Sequence, residues 1–329
     1  MRSARLYRYV LPLDESATSV QKKLGQREGF IVELRDGQYV GKGEVAPLAD
    51  QSFETIDEVY PQLVEQLILW QKRKPIDINS LYPSVAFGLS IAELDLSGAL
   101  PSQGCYHVVP VTTGEPDELA SRLELMHGNK IAKIKVGHND PYRDGIIVSS
   151  LLSAIPDLSL RLDANRAWSA EKASQFAKKI APSLRGRIEF IEEPCESPGD
   201  SFSFAINTGI AVAWDETLLH AMCHEAFKLE DLNGAKAIIL KPTLTGSIER
   251  CIELIERAKE LGIKVVISSS LESSVGLNQL ARFSRWQLPS EVPALDTIGI
   301  FTQQIETGWP GCTLPIKPLS EHALVWKSA

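Results

Sequence analysis

Between residues 130 and 241 short apolar runs recur, each ending in charged side chains: KIAKIKVG (Lys133, Lys135), LSLRLDAN (Asp163), IEFIEEP (Glu192), IAVAWDE (Asp215) and AIILKP (Lys241). From Lys135 the steps between these charges are 28, 29, 23 and 26 residues. That is the length of one strand, one crossover helix and two loops, so the runs predict successive parallel strands. Side chains alternate between the two faces of a strand. Ala132, Ile134 and Val136 can therefore face outer helices while Lys133 and Lys135 face inward. Leu158, Leu160 and Leu162 likewise oppose Arg161, Asp163 and Asn165, and small Ala211 and Ala213 share the face of Asp215. The glutamate run alternates less cleanly, because Ile188 and Phe190 share the parity of Glu192. In a closed β/α barrel all the C-terminal strand ends converge on one face, where active sites lie. Charges that merely mark strand ends explain any single run as well. The order base, acid, acid, acid, base over five runs favours one shared pocket.

The flanks follow another pattern. Residues 5–13, 30–35 and 38–44 read as strands, the last two joined by an Asp36-Gly37 hairpin turn. Helical spacing runs from Phe53 to Gln71, interrupted at Pro61, and again from Val85 to Leu96. This segment does not fit the barrel rhythm and predicts a separate α+β cap over residues 1–100. The barrel is expected over 101–298, opening at His107–Thr113 and ending near Ala294–Thr297 with eight strands. Residues 299–329 have no place in that count and are expected to return to the cap.

Composition narrows the function class. A chain of 329 residues with 44% hydrophobic content can bury a large core, enough for one large domain and a smaller one. A net charge of −8 argues against nucleic acid as the main partner. The basic stretch 72–74 suits a helix C-terminus, where cations meet the helix dipole. No run reaches the ~18 apolar residues of a membrane helix, and the first residues lack the apolar core of a secretion signal. The five cysteines are scattered without CxxC spacing, as expected of reduced thiols in a cytoplasmic protein. His220 and His224 lie four apart but lack the glutamate of a zinc-protease motif, and read as helix surface.

Three carboxylates brought within 4 Å repel by roughly 4 kcal/mol per pair at an effective dielectric near 20. A divalent cation relieves that cost. With oxygen ligands and neither Cys nor His nearby, Mg²⁺ is expected, with Mn²⁺ as a substitute. Such a cation can hold a small-molecule carboxylate and stabilise the enediolate formed when the neighbouring carbon loses a proton. An amine beside other cations has a lowered pKa, so Lys135 can serve as the base.

This order of residues resembles the enolase superfamily, in its muconate-lactonising-enzyme-like subgroup, whose sites pair a lysine or histidine base with Mg²⁺. The strings SVAFGLS, AKIKVG, RLDANRAW, EEPC, AWDE, KPTLTGS, ISSSLESSVGL and LDT are similar to the compact bacterial o-succinylbenzoate synthase family. The resemblance implies an α/β fold, a (β/α)₇β TIM-like barrel with an N-terminal α+β capping domain. It implies syn-dehydration of 2-succinyl-6-hydroxy-2,4-cyclohexadiene-1-carboxylate to 2-succinylbenzoate in menaquinone biosynthesis. Asp163, Glu192 and Asp215 would bind Mg²⁺. Lys135 would remove the ring proton and return it to the departing hydroxide, while Lys241 on the other ring face would stabilise the intermediate. Lys133 would hold the substrate carboxylate or tune Lys135, and Ser268 and Ser269 would contact the succinyl end or the ring. Arg161 has two readings, substrate contact or buried salt bridge. Glu193 and Glu216 would orient their neighbours. Residues 14–26 and 43–53 resemble the lid loops of the superfamily.

Two other functions stay open. Dipeptide epimerases and N-acylamino-acid racemases of the same subgroup also keep lysines on both faces. The dipeptide epimerases carry an Asp-x-Asp near the last strand, where this chain has the single Asp296. A non-catalytic barrel that binds metal is the alternative from a different class.

Overall fold

The computed structural model describes residues 2–14, 25–112, 119, 122–123, 126, 130–224, 226–232 and 234–328. The chain forms two compact units, one of Met1–Val108, Leu240–Glu256 and Ile267–Ala329, the other of Val109–Ile239 and Arg257–Val266.

In the first unit, strand Arg2–Pro12 pairs antiparallel with Gln26–Asp36 on one side and with Ala323–Lys327 on the other. Strand Tyr39–Val45 completes the sheet. Asp36 faces Tyr39 across a turn whose Gly37 has φ +62°, a conformation glycine adopts without a Cβ penalty. Helix Ile56–Gln71 begins at a reciprocal cap, with Thr55 Oγ1 accepting from Glu58 N and Glu58 Oε2 from Thr55 N. It runs unbroken through Pro61, which the sequence pattern read as an interruption. With helix Pro83–Ser97 it covers a core of Leu6, Phe30, Val32, Leu34, Val59, Leu63, Leu67, Trp70, Val85 and Leu89. Gly43 and Gly88 let sheet and helix backbones touch, since a Cβ on Gly43 would collide with the Gly88 carbonyl oxygen.

A buried carboxylate fixes a further helix to this sheet. Glu44 accepts from Tyr9 Oη at 2.5 Å, from Ser273 N and Gly276 N at 2.8 Å each, and from Ser273 Oγ at 2.5 Å. Ser273 caps helix Ser274–Gln287, so an anion sits at a helix N-terminus. Burial raises the Glu44 pKa, and the donors from Ser273 and Tyr9 oppose that rise. Glu44→Ala would leave four donors without this acceptor. It is expected to destabilise the fold by about 2–4 kcal/mol, read as a lower midpoint in denaturant unfolding. An unchanged midpoint would contradict this account of the anchor.

The second unit carries the parallel sheet. Val111–Thr112, Lys130–Lys135, Leu158–Asp163, Ile188–Glu192, Val212–Trp214, Ala237–Leu240 and Lys264–Ile267 lie side by side in chain order. Parallel strand neighbours that follow chain order make this the α/β barrel architecture that the repeating runs predict. The helices Pro141–Ala154, Ala170–Lys178 and Pro198–Thr208 begin at Asp140, Ser169 and Ser197, whose side chains accept from the first-turn backbone. Beyond the seventh strand the ladder continues as a single parallel bridge from Ser268 to Ala294.

The uneven glutamate run has a simple cause. Leu160 pairs with Ile188 but Arg161 with Phe190, leaving Glu189 as an extra residue in a bulge. The bulge resets parity, so Phe190 and Glu192 match Arg161 and Asp163 while Ile188 matches outward Leu160. Among the described residues no helix is long and apolar enough to cross a membrane.

Candidate active site

Register brings the charged strand ends of the second unit together. Lys135 pairs with Asp163, Asp163 with Glu192, and Glu192 with Ala213, two residues before Asp215. Lys133 Nζ donates to Glu192 Oε2 at 2.5 Å and lies 3.0 Å from Asp163 Oδ2. Lys135 Nζ donates to Asp163 Oδ2 at 2.5 Å and to Asn165 Oδ1 at 2.9 Å. Asp163, Glu192, Asp215 and Lys133 are buried, whereas the Lys135 side chain keeps 28% of its surface exposed. Lys135 is thus the member of this set that a small molecule can reach.

Burial and charge oppose each other here. Burial alone would lower the Lys133 pKa, but Asp163 and Glu192 outweigh it and hold the ammonium charged. Burial would raise Asp163, yet Lys133 and Lys135 keep it well below the usual carboxylate range. Glu192 is pushed up to about 8 by burial, with Asp163 and Asp215 adding repulsion that Lys133 only partly offsets. The cost of gathering the carboxyl groups in a buried place thus falls most heavily on Glu192. Among the described residues no three His, Cys, Asp or Glu side chains are drawn into a ready cage for a metal ion. Asp163 and Glu192 close on Lys133 and Lys135.

Glu193 fixes the backbone around Asp215. Its Oε1 accepts from Asp215 N at 3.0 Å and Thr217 N at 2.7 Å, and its Oε2 from Thr217 Oγ1 at 2.9 Å and Arg166 Nε at 3.0 Å. Asn165 and Arg166 both have positive φ, 43° and 60°, and that backbone turn lets Asn165 address Lys135 on one side and Glu216 Oε1 on the other. Arg161 lies two residues deeper in its strand. It donates to Glu189 Oε2 at 2.9 Å, sits 5.4 Å from the Phe190 ring centroid, and shares Glu189 with Lys264. Helix Glu216–Ala221 ends before His224, so His220 and His224 do not share a helix face.

Lys241 belongs to the first unit. It caps the short helix Pro242–Thr245, is buried, and donates from Nζ to Gln51 Oε1 at 3.1 Å. Ser268 Oγ faces Ala294 O at 3.4 Å, and Ser269 Oγ donates to Glu272 Oε2 at 2.8 Å while accepting from Leu271 N and Thr297 Oγ1. Of the lid segments, residues 15–24 lie outside the described residues. In 43–53 the first part is buried strand and turn. Sequence pattern did not single out Arg27, Gln51 or Glu272, whose partners lie far along the chain.

Comparison with known proteins gives the family. Residues 1–96 match the family described as "MenC, N-terminal domain", and residues 117–299 match "Enolase C-terminal domain-like". The o-succinylbenzoate synthase of Vibrio cholerae is 54% identical over 328 residues, covering 100% of this chain and 99% of its own. The chain belongs to the o-succinylbenzoate synthase family. The synthase of Aliivibrio fischeri, another member of that family, is 47% identical with 100% of both chains covered. Among solved structures, the synthase of Thermosynechococcus elongatus, complexed with Mg in its active site, superposes with a TM-score of 0.69 at 23% identity. It covers 88% of this chain and 91% of its own. A substrate-liganded L-Ala-D/L-Glu epimerase from Bacillus subtilis superposes with a TM-score of 0.71 at 20% identity, over 92% and 91% of the two chains. Both likenesses concern the fold.

Proposed function

We propose that this chain dehydrates 2-succinyl-6-hydroxy-2,4-cyclohexadiene-1-carboxylate to 2-succinylbenzoate by syn elimination, in menaquinone biosynthesis in the cytoplasm. The observation that carries the reading is full-length identity of 54% to a relative of that name. The register of Lys135, Asp163 and Glu192 at adjacent strand ends of the second unit supports the roles assigned below. In this reading residues 1–100 form the cap, 101–298 the barrel, and 299–329 the return to the cap.

Lys135 takes the proton from the ring carbon beside the carboxylate. The electron pair of that C–H bond forms the new ring double bond, the C–O bond at the hydroxyl-bearing carbon breaks, and the Lys135 ammonium returns the proton so that water leaves. Lys241 supplies a cation for the charge that develops on the ring. Lys133, Ser268 and Ser269 are assigned to substrate positioning. For Arg161, the Glu189 pair supports bracing of the sheet interior over substrate contact.

Asp163, Glu192 and Asp215 fit a hard divalent cation, Mg²⁺ or Mn²⁺: the donors are all oxygen, all are buried, and Asp163 and Asp215 repel Glu192. When bound, the cation supplies the positive charge that holds the substrate carboxylate and stabilises it after proton loss. Glu193 then acts by holding Asp215. Glu193→Ala is expected to weaken Mg²⁺ binding by about 10- to 100-fold, measured by calorimetry, and an unchanged affinity would contradict that role.

The reading as a whole is tested by the aromatic ultraviolet absorbance of 2-succinylbenzoate. It should grow when the purified protein, Mg²⁺ and the cyclohexadiene substrate are mixed. N-acylamino-acid racemisation and dipeptide epimerisation, the alternatives within the same subgroup, are assayed on the same preparation.

A further inference from the structure

Arg27 and Lys241, far apart in sequence, are joined in the first unit by one closed circuit of hydrogen bonds. Arg27 is 3% exposed, yet its guanidinium is aimed at main-chain carbonyls. It donates to Ala46 O and Pro47 O at 2.5 Å each, to Leu271 O at 2.9 Å, to Ser270 O at 3.3 Å and to Glu28 O at 3.2 Å. It therefore ties the start of the 46–53 loop to the 270–271 loop. The 46–53 loop then closes on itself. Leu48 O accepts from Gln51 N at 3.0 Å and Ser52 N at 2.8 Å, and Ser52 Oγ accepts from Leu48 N at 2.8 Å. Asp50 takes φ +69° between them.

At the tip of this loop Gln51 presents its side-chain oxygen to Lys241 Nζ at 3.1 Å. The amide orientation is fixed by chemistry, because an ammonium only donates and the oxygen must face it. Glu272 closes the circuit from the other side. It accepts from Thr243 Oγ1 at 2.7 Å, two residues past Lys241, and from Ser269 Oγ at 2.8 Å and Ser270 N at 2.7 Å.

We propose that Gln51 is a positioning residue for the Lys241 ammonium, presented by a loop that Arg27 locks. This rests on the reading of Lys241 as the cation that stabilises developing charge. A lysine stem is flexible, and its ammonium works only where the charge develops. A neutral amide oxygen holds one of the three N–H bonds without itself bringing an anion. A carboxylate at the same place would orient the ammonium equally well and quench its charge. The 46–53 segment is accordingly held at its start by Arg27 and at its tip by Lys241.

The test uses the Mg²⁺-loaded enzyme and three kinds of variant. Gln51→Met keeps length and loses the acceptor. It should lower kcat by about 10- to 100-fold, the weight of a hydrogen bond to a charged group, and leave KM within about threefold. Gln51→Glu should also lower kcat, through charge pairing. In a Lys241→Arg background, which keeps a cation with different geometry, Gln51→Met should have a much smaller effect than in the parent. The proposal is overturned by an undiminished kcat in Gln51→Met, by a loss confined to KM, or by equal effects in both backgrounds. Lys241→Ala separates the two readings. Near-parent turnover there removes the role of Lys241 and the proposal with it. A crippled Lys241→Ala beside a fully active Gln51→Met keeps Lys241 and overturns Gln51 alone.

Discussion

Lys135→Ala should lower kcat for dehydration by about 10²- to 10⁴-fold or more, the weight of a positioned general base, and should abolish exchange of the ring proton with solvent. The expectation comes from position. Lys135, at the C-terminal end of its strand, keeps 28% of its side chain exposed, while Lys133 is buried between Glu192 and Asp163. Lys135→Arg should fare little better, because a guanidinium hardly ever releases its proton and so cannot take one. That variant keeps a cation beside Asp163, so its loss cannot be put down to an exposed carboxylate charge. Stopped-flow turnover and deuterium exchange on both variants, with circular dichroism to verify folding, check the assignment. Near-parent turnover in Lys135→Ala would show that the base lies elsewhere.

Removal of divalent cations should abolish activity, and added Mg²⁺ should restore it. Burial pushes Glu192 up to about 8, with repulsion from Asp163 and Asp215 adding to it. A divalent ion beside these carboxylates offsets both costs. Asp163→Asn keeps shape and removes one charge, and should weaken Mg²⁺ binding in calorimetry as well as in the assay. Full activity in metal-free protein would refute the claim. Unchanged Mg²⁺ affinity in Asp163→Asn would remove Asp163 from the ligand set.

Much of this site was legible because alternation and charge coincide. Lys135 and Asp163 end runs in which Ala132, Ile134, Leu158, Leu160 and Leu162 occupy the other parity, and parallel pairing sets both in register with Glu192. The bulge at Glu189 was not legible. An extra residue leaves no mark in composition, and only the pairing of Leu160 with Ile188 and Arg161 with Phe190 reveals it. Pro61 was read as an interruption, but the capping box at Thr55 and burial of Val59, Leu63 and Leu67 carry the helix through it. Gln51, Arg27 and Glu272 were invisible for a different reason. Their chemistry lies in partners 190, 244 and 29 residues away, and an isolated Gln or Glu in a loop carries no periodic signal.

The central claim is that the chain is foremost a dehydratase, and one ratio tests it. On a single Mg²⁺-loaded preparation, kcat/KM is measured for 2-succinylbenzoate formation and for epimerisation of a panel of dipeptides. Loss of water makes the ring aromatic, so the dehydration is strongly downhill. The site need only orient the substrate and stabilise one developing charge. A dipeptide would require a partner for its ammonium, and the LDT run offers the single Asp296. The account predicts that dehydration exceeds every dipeptide epimerisation. Epimerisation outpacing 2-succinylbenzoate formation would contradict it.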